Sequence, residues 1–150
     1  MNVQLINIWI HTFFSTKDLM PLIKGTFESV LHAKIRDKIE DEYNSFVKII
    51  NGTEDHIHIL FKLNPNYRIT DILKNIKGDS SHWINHNNLI EEKFSWQKSY
   101  DAHSIDESRV NNFTEFIKNQ KEYHRKVTFL VEREAFLRKY SGLSAGRKTV

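Results

Sequence analysis

The stretch YNSFVKIINGTEDHIHILFKL, residues 43–63, decides the fold. Its first half, residues 43–52, is rich in β-branched and aromatic residues and ends at the turn signal Asn51-Gly52, which is typical of a strand. Its second half, residues 55–63, is a further strand-like run. Because only a short loop separates the two runs, we predict an antiparallel β-hairpin here.

The rest of the chain extends this hairpin into an α+β domain. The predicted strands are residues 3–14, 43–52, 55–63 and 93–100, and the predicted helices are residues 22–40, 69–89, 106–124 and 128–139. The first strand is apolar on both faces, which is typical of a strand that is covered on both sides. The first six elements follow the order of a split β-α-β arrangement. We therefore predict an antiparallel sheet with helices packed mainly on one face, plus C-terminal helices.

The composition indicates one globular domain of 150 residues, 39 % apolar and 27 % charged. The apolar runs are too short to span a membrane, and the N-terminus has no signal-peptide pattern. Cysteine is absent, which excludes disulfides and thiolate metal sites and fits a reducing compartment. We predict a cytoplasmic protein with a domain at 1–140 and a flexible tail at 141–150. The net charge of +3 permits a polyanionic partner.

Two pairs of histidines are candidate metal ligands. Because side chains alternate along a strand, His56 and His58 point to the same side, roughly 7 Å apart, and could bind one cation. Unrelated half-buried histidines also occur at this spacing, so the pair alone is weak support. His82 and His86 have the i, i+4 spacing of a helical metal site, but no glutamate accompanies them and neighbouring asparagines indicate a solvated face.

Gln120, on the third predicted helix, could supply a further ligand. If it joined His56 and His58, the site would offer two nitrogens and one amide oxygen, a set that suits Mg²⁺ or Mn²⁺ better than zinc or iron. Such a metal would polarise a phosphodiester and help a leaving oxygen depart. Phe116 lies one turn before Gln120 on the same helix face, and its residue type alone predicts a place in the core.

Read together, five stretches resemble the HUH single-tyrosine transposases of the smallest bacterial insertion sequences and their repeat-associated relatives. HUH denotes His, a bulky apolar residue and His, as in His56-Ile57-His58. The stretches are HTFFSTKDLMPLI, NGTEDHIHILFKL, DILKNIKGDSSHWIN, FSWQKSYDAHSI and FIKNQKEYHRKVTFLVEREAFL. Each is modest alone, but their order and spacing together are specific.

The resemblance implies a ferredoxin-like, RNA-recognition-like fold that works as a homodimer on imperfect hairpins in single-stranded DNA. It implies cleavage and joining of DNA through a covalent 5′-phosphotyrosine. His56, His58 and Gln120 would bind the divalent metal. The nucleophilic tyrosine falls at position 116, where this chain has Phe116. In the family the helix that bears the tyrosine can serve the partner subunit, so the active sites can be shared across the dimer.

The chain departs from the family pattern around this chemistry. Phenylalanine has no oxygen nucleophile, so we predict that the chain binds DNA but is deficient in cleavage. Tyr123 is an unfavourable substitute, because it lies about two helical turns, roughly 10.5 Å along the axis, beyond Phe116. The family's Tyr-Gly-Ala-Phe is here Tyr100-Asp101-Ala102-His103, and Asp101 adds a negative charge. The phenylalanine is compatible with a natural divergent copy and with a laboratory substitution.

Two other functions are compatible with the sequence. One is a non-enzymatic, regulatory protein that binds hairpin DNA. The other is an RNA-binding domain that stacks bases on the sheet aromatics Trp9, Phe13, Phe61, Phe94 and Trp96. For DNA we predict phosphate contacts from Lys74, Lys77, Arg125 and Lys126, although basic residues of this kind are equally typical of solvated helix surfaces.

Overall fold

The structure is a computed structural model, which describes residues 3–140. The tail predicted at residues 141–150 lies outside the described residues. Four strands form one antiparallel sheet in the order β2-β3-β1-β4. They are β1 (Trp9–Ser15), β2 (Phe46–Gly52), β3 (His56–Lys62) and β4 (Asp101–Ile105). The predicted hairpin is present as β2 and β3.

Strand β1 lies inside the sheet, between β3 and β4. It begins at Trp9 rather than at residue 3 as predicted, because its neighbours end opposite Trp9, at Lys62 and Ile105. Residues 3–8 therefore have no ladder to join, and their side chains are exposed.

Helices cover both faces of this sheet. The helices are α1 (Glu28–Tyr43), α2 (Ile69–His86), α3 (Val110–Lys118), α4 (Gln120–Tyr123) and α5 (Phe129–Tyr140). On one face, α1 and α2 enclose the larger apolar core with the alternate strand residues Ile10, Phe14, Ile57 and Ile59. On the other face, Trp9 and Leu60 pack against α3 and against Phe136 of α5. The α+β fold is confirmed, with the C-terminal helices as the second layer.

The fourth strand was predicted in the wrong place. Residues 93–100 contribute only an isolated bridge between Thr16 and Trp96, and the strand that pairs with β1 is β4. Side chains satisfy part of the backbone of the earlier segment. Asn85 accepts from the amide N of Phe94 and donates to its carbonyl, at 2.8 and 2.9 Å. The ammonium of Lys77 donates to the carbonyls of residues 97, 98 and 99.

The predicted helix 106–124 is interrupted. It comprises a 3-10 turn at Glu107–Arg109, then α3 and α4, which meet at Asn119. Asn119 has a backbone φ of −96° and ψ of 18°, and its side-chain amide donates to the carbonyl of Glu115 at 2.9 Å. This bond competes with continuation of the helix. By contrast, α2 runs through Gly78 without a break.

No helix among residues 3–140 has the length and apolar character needed to cross a membrane.

Candidate metal centre

The register of the sheet places the histidines on the face covered by α3 and α5. Phe13 lies opposite His58 and Ser15 opposite His56, so these side chains share one side of the sheet with His11. The Asn51 side chain on β2 donates to the carbonyls of Ile117 and Lys118 at 3.0 and 3.1 Å. These bonds hold the end of α3 against the hairpin, and α4 therefore begins directly above the two histidines.

Four buried or half-buried side chains converge at this point. His56, His58, His124 and Glu132 each offer one ligand atom, and these atoms all lie within 4.8 Å of one another. Gln120, fully buried at the start of α4, joins them: its Oε1 lies 2.9 Å from His56 Nε2. The sequence-predicted trio of His56, His58 and Gln120 is thus brought together. That they bind metal stays a prediction.

Glu132 of α5 is the centre of the hydrogen bonding. Its Oε1 lies 2.7 Å from His58 Nε2, and its Oε2 accepts from the Gln120 amide at 2.8 Å and lies 3.1 Å from His124 Nε2. The carboxylate side chain is only 1 % exposed. One buried anion therefore orients three polar groups, His58 of β3 and the residues at the two ends of α4.

The donor atoms fit a cation. His56 Nδ1 lies 2.7 Å from a carboxylate oxygen of Asp55, so the ring presents its Nε2 to the cluster. The amide nitrogen of Gln120 is committed to Glu132, so its oxygen is what faces that Nε2. Two lone pairs at 2.9 Å repel unless a proton or a cation lies between them. His124 is arranged in the same way, with Nδ1 donating to the carbonyl of Val127 at 2.6 Å.

The ionisation states of His58 and Glu132 are those a metal requires. Burial lowers the pKa of His58 to about 4 against the opposing effect of Glu132, so this imidazole is neutral at pH 7. Burial would raise the pKa of Glu132, but hydrogen bonds from His124, His58 and Gln120 outweigh it and hold that pKa well below its ordinary value. A neutral imidazole and an ionised carboxylate are the ligand forms that bind metal.

Glu132 and His124 were missed as site residues. A glutamate on an amphipathic helix is usually solvent-exposed, so its residue type alone predicts a surface position and not a place in a buried site. The available signal is spacing, because Glu132 lies three residues after Phe129 and four before Phe136, on the apolar face of α5. His124 lies next to a residue we had considered, Tyr123, but a single histidine in a basic stretch carries no signal of its own.

Phe116 lies at the edge of this cluster. Its ring is half-buried and meets the His58 ring edge-on, with centroids 5.8 Å apart. The Tyr123 ring nevertheless contacts that of Phe116, with centroids 5.5 Å apart, although seven residues separate them. Burial and Glu132 raise the pKa of Tyr123, which disfavours the phenolate.

The four basic residues predicted to hold DNA do not form one surface. Lys74 and Lys77 lie on α2, on the opposite side of the sheet from the histidines. The ammonium of Lys77 makes three carbonyl contacts, at 2.5, 3.2 and 3.0 Å, so its donors are already used within the fold. Arg125 and Lys126 follow α4, and Arg125 lines a cavity of about 500 Å³ together with His124 and Asp55.

The class of protein follows from comparison of this chain with known families. The family described as "Transposase IS200 like" matches residues 4–120, which include both strand histidines, Phe116 and Gln120. The chain belongs to this family. Comparison with curated proteins gives no significant match.

Two solved structures share the fold. One is a protein of Deinococcus radiodurans R1 assigned as a transposase, with 18 % identity, a TM-score of 0.61, and coverage of 80 % of this chain and 95 % of that one. The other is a REP-associated tyrosine transposase bound to a REP hairpin, with 12 % identity, a TM-score of 0.63, and coverage of 85 % of this chain and 74 % of that one. At these identities the likeness concerns the fold.

Proposed function

We propose that this protein binds single-stranded DNA hairpins at a divalent-metal centre and does not cleave them. One observation carries the proposal: acceptor atoms of His56, Gln120 and Glu132 converge. The His58 ring, which lies 2.7 Å from Glu132, meets the phenyl ring of Phe116, at the position where the family resemblance puts the nucleophile. The family membership supports DNA as the substrate class. The similar fold solved with a REP hairpin supports a hairpin as its form.

The metal is Mg²⁺ or Mn²⁺ in this proposal. His56, His58 and Gln120 would hold it, and the Glu132 carboxylate would add an oxygen that increases the preference for a hard cation. When bound, the cation would polarise a phosphodiester. The residues of the chain do the rest: Asp55 orients His56, and Glu132 orients the Gln120 amide.

Phe116 explains the absence of cleavage in this proposal. Forming a phosphotyrosine requires a side-chain oxygen that attacks phosphorus, and a phenyl ring offers none. Tyr123 is close to Phe116, but it is a poor substitute because burial and Glu132 both keep its phenol protonated.

A covalent adduct assay tests this proposal. The protein is mixed with a labelled single-stranded hairpin and Mn²⁺ and run on a denaturing gel. We expect tight binding in a native assay but no adduct, and we expect Phe116→Tyr to form an adduct that requires Mn²⁺. An adduct with the unaltered chain that disappears in Tyr123→Phe would assign cleavage to Tyr123. If Phe116→Tyr binds both hairpin and metal and still forms no adduct, the site has lost more than its nucleophile.

The DNA contacts are proposed at Arg125 and Lys126, on the same side as the metal centre. If each contacts a phosphate, replacing it with Ala should lower the salt dependence of hairpin binding by about one unit of slope. Lys74 lies across the sheet and serves as a matched control. An equal loss of slope in Lys74→Ala would show that charge alone, and not this surface, binds the DNA.

A homodimer with shared active sites is part of the proposal. Within one chain, Phe116 already lies beside His58. Light scattering gives the mass in solution. Sharing is tested by mixing Phe116→Tyr/His58→Ala chains with unaltered chains, neither of which can form an adduct alone. An adduct in the mixture would support sites composed of two subunits, and its absence from a verified mixed dimer would support sites within one chain.

A regulatory DNA-binding protein would bind hairpin DNA without cleavage in the same way, and this alternative differs from the proposal only in biological role. The RNA-binding alternative loses its support, because the five sheet aromatics proposed for stacking are buried, at 0 to 8 % exposure. Helices cover the faces on which an RNA base would stack. Tighter binding of the matching RNA hairpin than of the DNA hairpin would restore this alternative.

A further inference from the structure

A chain of three imidazoles runs from the metal centre toward the surface. His58 Nδ1 lies 2.8 Å from His11 Nε2, and His11 Nδ1 lies 2.7 Å from His103 Nε2. The sheet register creates this line, because His103 of β4 is directly opposite His11 of β1, whereas His58 of β3 is diagonal to it. His11 and His58 are fully buried and His103 is half-buried.

Both ends of this histidine chain are hydrogen-bond acceptors. At the inner end, the Glu132 carboxylate lies 2.7 Å from His58 Nε2. At the outer end, the carbonyl of Ser104 lies 3.3 Å from His103 Nδ1. The line therefore has four links, and each link needs one proton.

Three neutral imidazoles carry only three N–H groups. One link must then lack a proton, and the weakest contact, at 3.3 Å, identifies it as the one to Ser104. With three neutral rings and that link without a proton, all three rings would be Nε2–H tautomers in the metal-free protein, with every donor directed toward Glu132.

We propose that His11 and His103 are positioning residues that set the tautomer of His58, and that a cation at His58 Nε2 reverses the direction of the whole histidine chain. This inference rests on the metal centre proposed above. A coordinated Nε2 must carry a lone pair, so its proton is released to solvent. His58 Nδ1 then takes the proton of His11 Nε2, and His11 Nδ1 takes that of His103 Nε2. His103 Nδ1 takes one proton from water and donates to Ser104. Each ring stays neutral, and the count of protons balances.

The direction of hydrogen bonding along the histidine chain affects the affinity for the metal. A ligand imidazole whose other nitrogen donates a hydrogen bond is held in orientation and is more basic. His11 provides the acceptor for that bond only if its own Nδ1–H finds an acceptor at His103. Hence His103, which touches neither the metal nor its ligands, contributes to binding through His11.

Nitrogen-15 NMR of the histidine rings tests the proposal. Without metal, we expect His58, His11 and His103 to be Nε2–H tautomers. With saturating Mg²⁺, we expect all three to become Nδ1–H tautomers. An Nδ1–H tautomer at any of the three rings without metal would overturn the assigned direction. A His103 tautomer that stays unchanged while the His58 resonances respond to Mg²⁺ would overturn the reversal. If neither His56 nor His58 responds to Mg²⁺, the metal centre itself fails, and the metal-free tautomers still decide the direction.

Variants give an independent readout. We expect His11→Phe to weaken Mn²⁺ binding by about 10-fold or more, and His103→Phe to weaken it by a smaller factor. His11→Gln, which keeps a donor and an acceptor, should restore part of the affinity. The control is His86→Phe, which removes an exposed histidine on α2. Equal affinities in His11→Phe and His86→Phe, with both variants folded by circular dichroism, would refute a positioning role.

Discussion

Replacing Glu132 with Ala should be the most damaging single change in the protein. The carboxylate is buried and holds three partners, His58, Gln120 and His124, at 2.7, 2.8 and 3.1 Å. Hydrogen bonds to a charged group each contribute about 1.5–3 kcal/mol, but bonds that share one acceptor are not additive. Removing the carboxylate leaves the His58 ring and the Gln120 amide buried and unpaired, at about 1–3 kcal/mol for each unpaired group and so about 3–5 kcal/mol together. We expect a loss of this size.

Chemical denaturation in the presence of a chelator measures this free energy of unfolding. A loss of about 3–5 kcal/mol corresponds to a fall in Tm of about 6–20 °C for a chain of this length. The control is Glu134→Ala, on the same helix, where the side chain is 49 % exposed and lies 3.4 Å from Arg138. The control should change stability by less than about 0.5 kcal/mol.

Two further readouts separate organisation of the site from simple packing. Glu132 raises the pKa of His124, so that pKa should fall in Glu132→Ala, as followed by NMR. Added Mn²⁺ should stabilise the unaltered chain and have a much smaller effect on the variant. A stability loss below about 1 kcal/mol, with an unchanged pKa of His124, would refute the idea that this carboxylate organises the centre.

The remaining predictions concern stability and can be checked by denaturation. Gly52→Ala should destabilise the protein and weaken Mn²⁺ binding, because a Cβ there would lie 2.1 Å from a carbonyl oxygen of β3. Gly78→Ala, in open space on α2, should instead stabilise by about 0.5–1 kcal/mol; the same sign in both variants would contradict this. His58 is neutral when folded, with its pKa lowered to about 4, so between pH 6.5 and 4 only the unfolded chain gains a proton there. In the presence of a chelator, this difference in protonation should lower the free energy of unfolding by about 3 kcal/mol as the pH falls across that window. His58→Asn should reduce this dependence of stability on pH. Asp101 and Arg133 form an ion pair with two hydrogen bonds, and their side chains are 26 and 39 % exposed. A double-mutant cycle should give a coupling energy of about 0.5–1 kcal/mol. A coupling energy of zero would show that the pair does not stabilise the packing of α5 on β4.

The candidate ligands could be predicted because they depend on short-range rules. Alternation along a strand requires His56 and His58 to face the same side, and the hairpin fixes which strand carries them. Gln120 could be added only through the family resemblance, since a glutamine at the start of a helix has no signal of its own. The role of Phe116 likewise depends on comparison, because a phenylalanine is informative only at a position where the family resemblance implies a tyrosine.

The features that the sequence did not predict depend on contacts between side chains and backbone that no local sequence pattern indicates. Residues 93–100 have the residue types of a strand, but side chains of Asn85 and Lys77 satisfy part of that segment's backbone. The interruption at Asn119 coincides with a side-chain hydrogen bond to Glu115, and the rings of Phe116 and Tyr123 are in contact although seven residues separate them.

The His103–His11 contact depends on pairing between β1 and β4. Because that fourth strand was misplaced, the histidine chain could not be seen in the sequence. Register errors of this kind move every cross-strand neighbour at once.

A crystal of the protein soaked in Mn²⁺ tests the central claim most directly, through anomalous scattering from the metal. The account predicts one anomalous peak within bonding distance of His56 Nε2, His58 Nε2 and Gln120 Oε1, with Phe116 beside it. An anomalous peak that avoids these three atoms, or its absence at saturating Mn²⁺, would contradict the account.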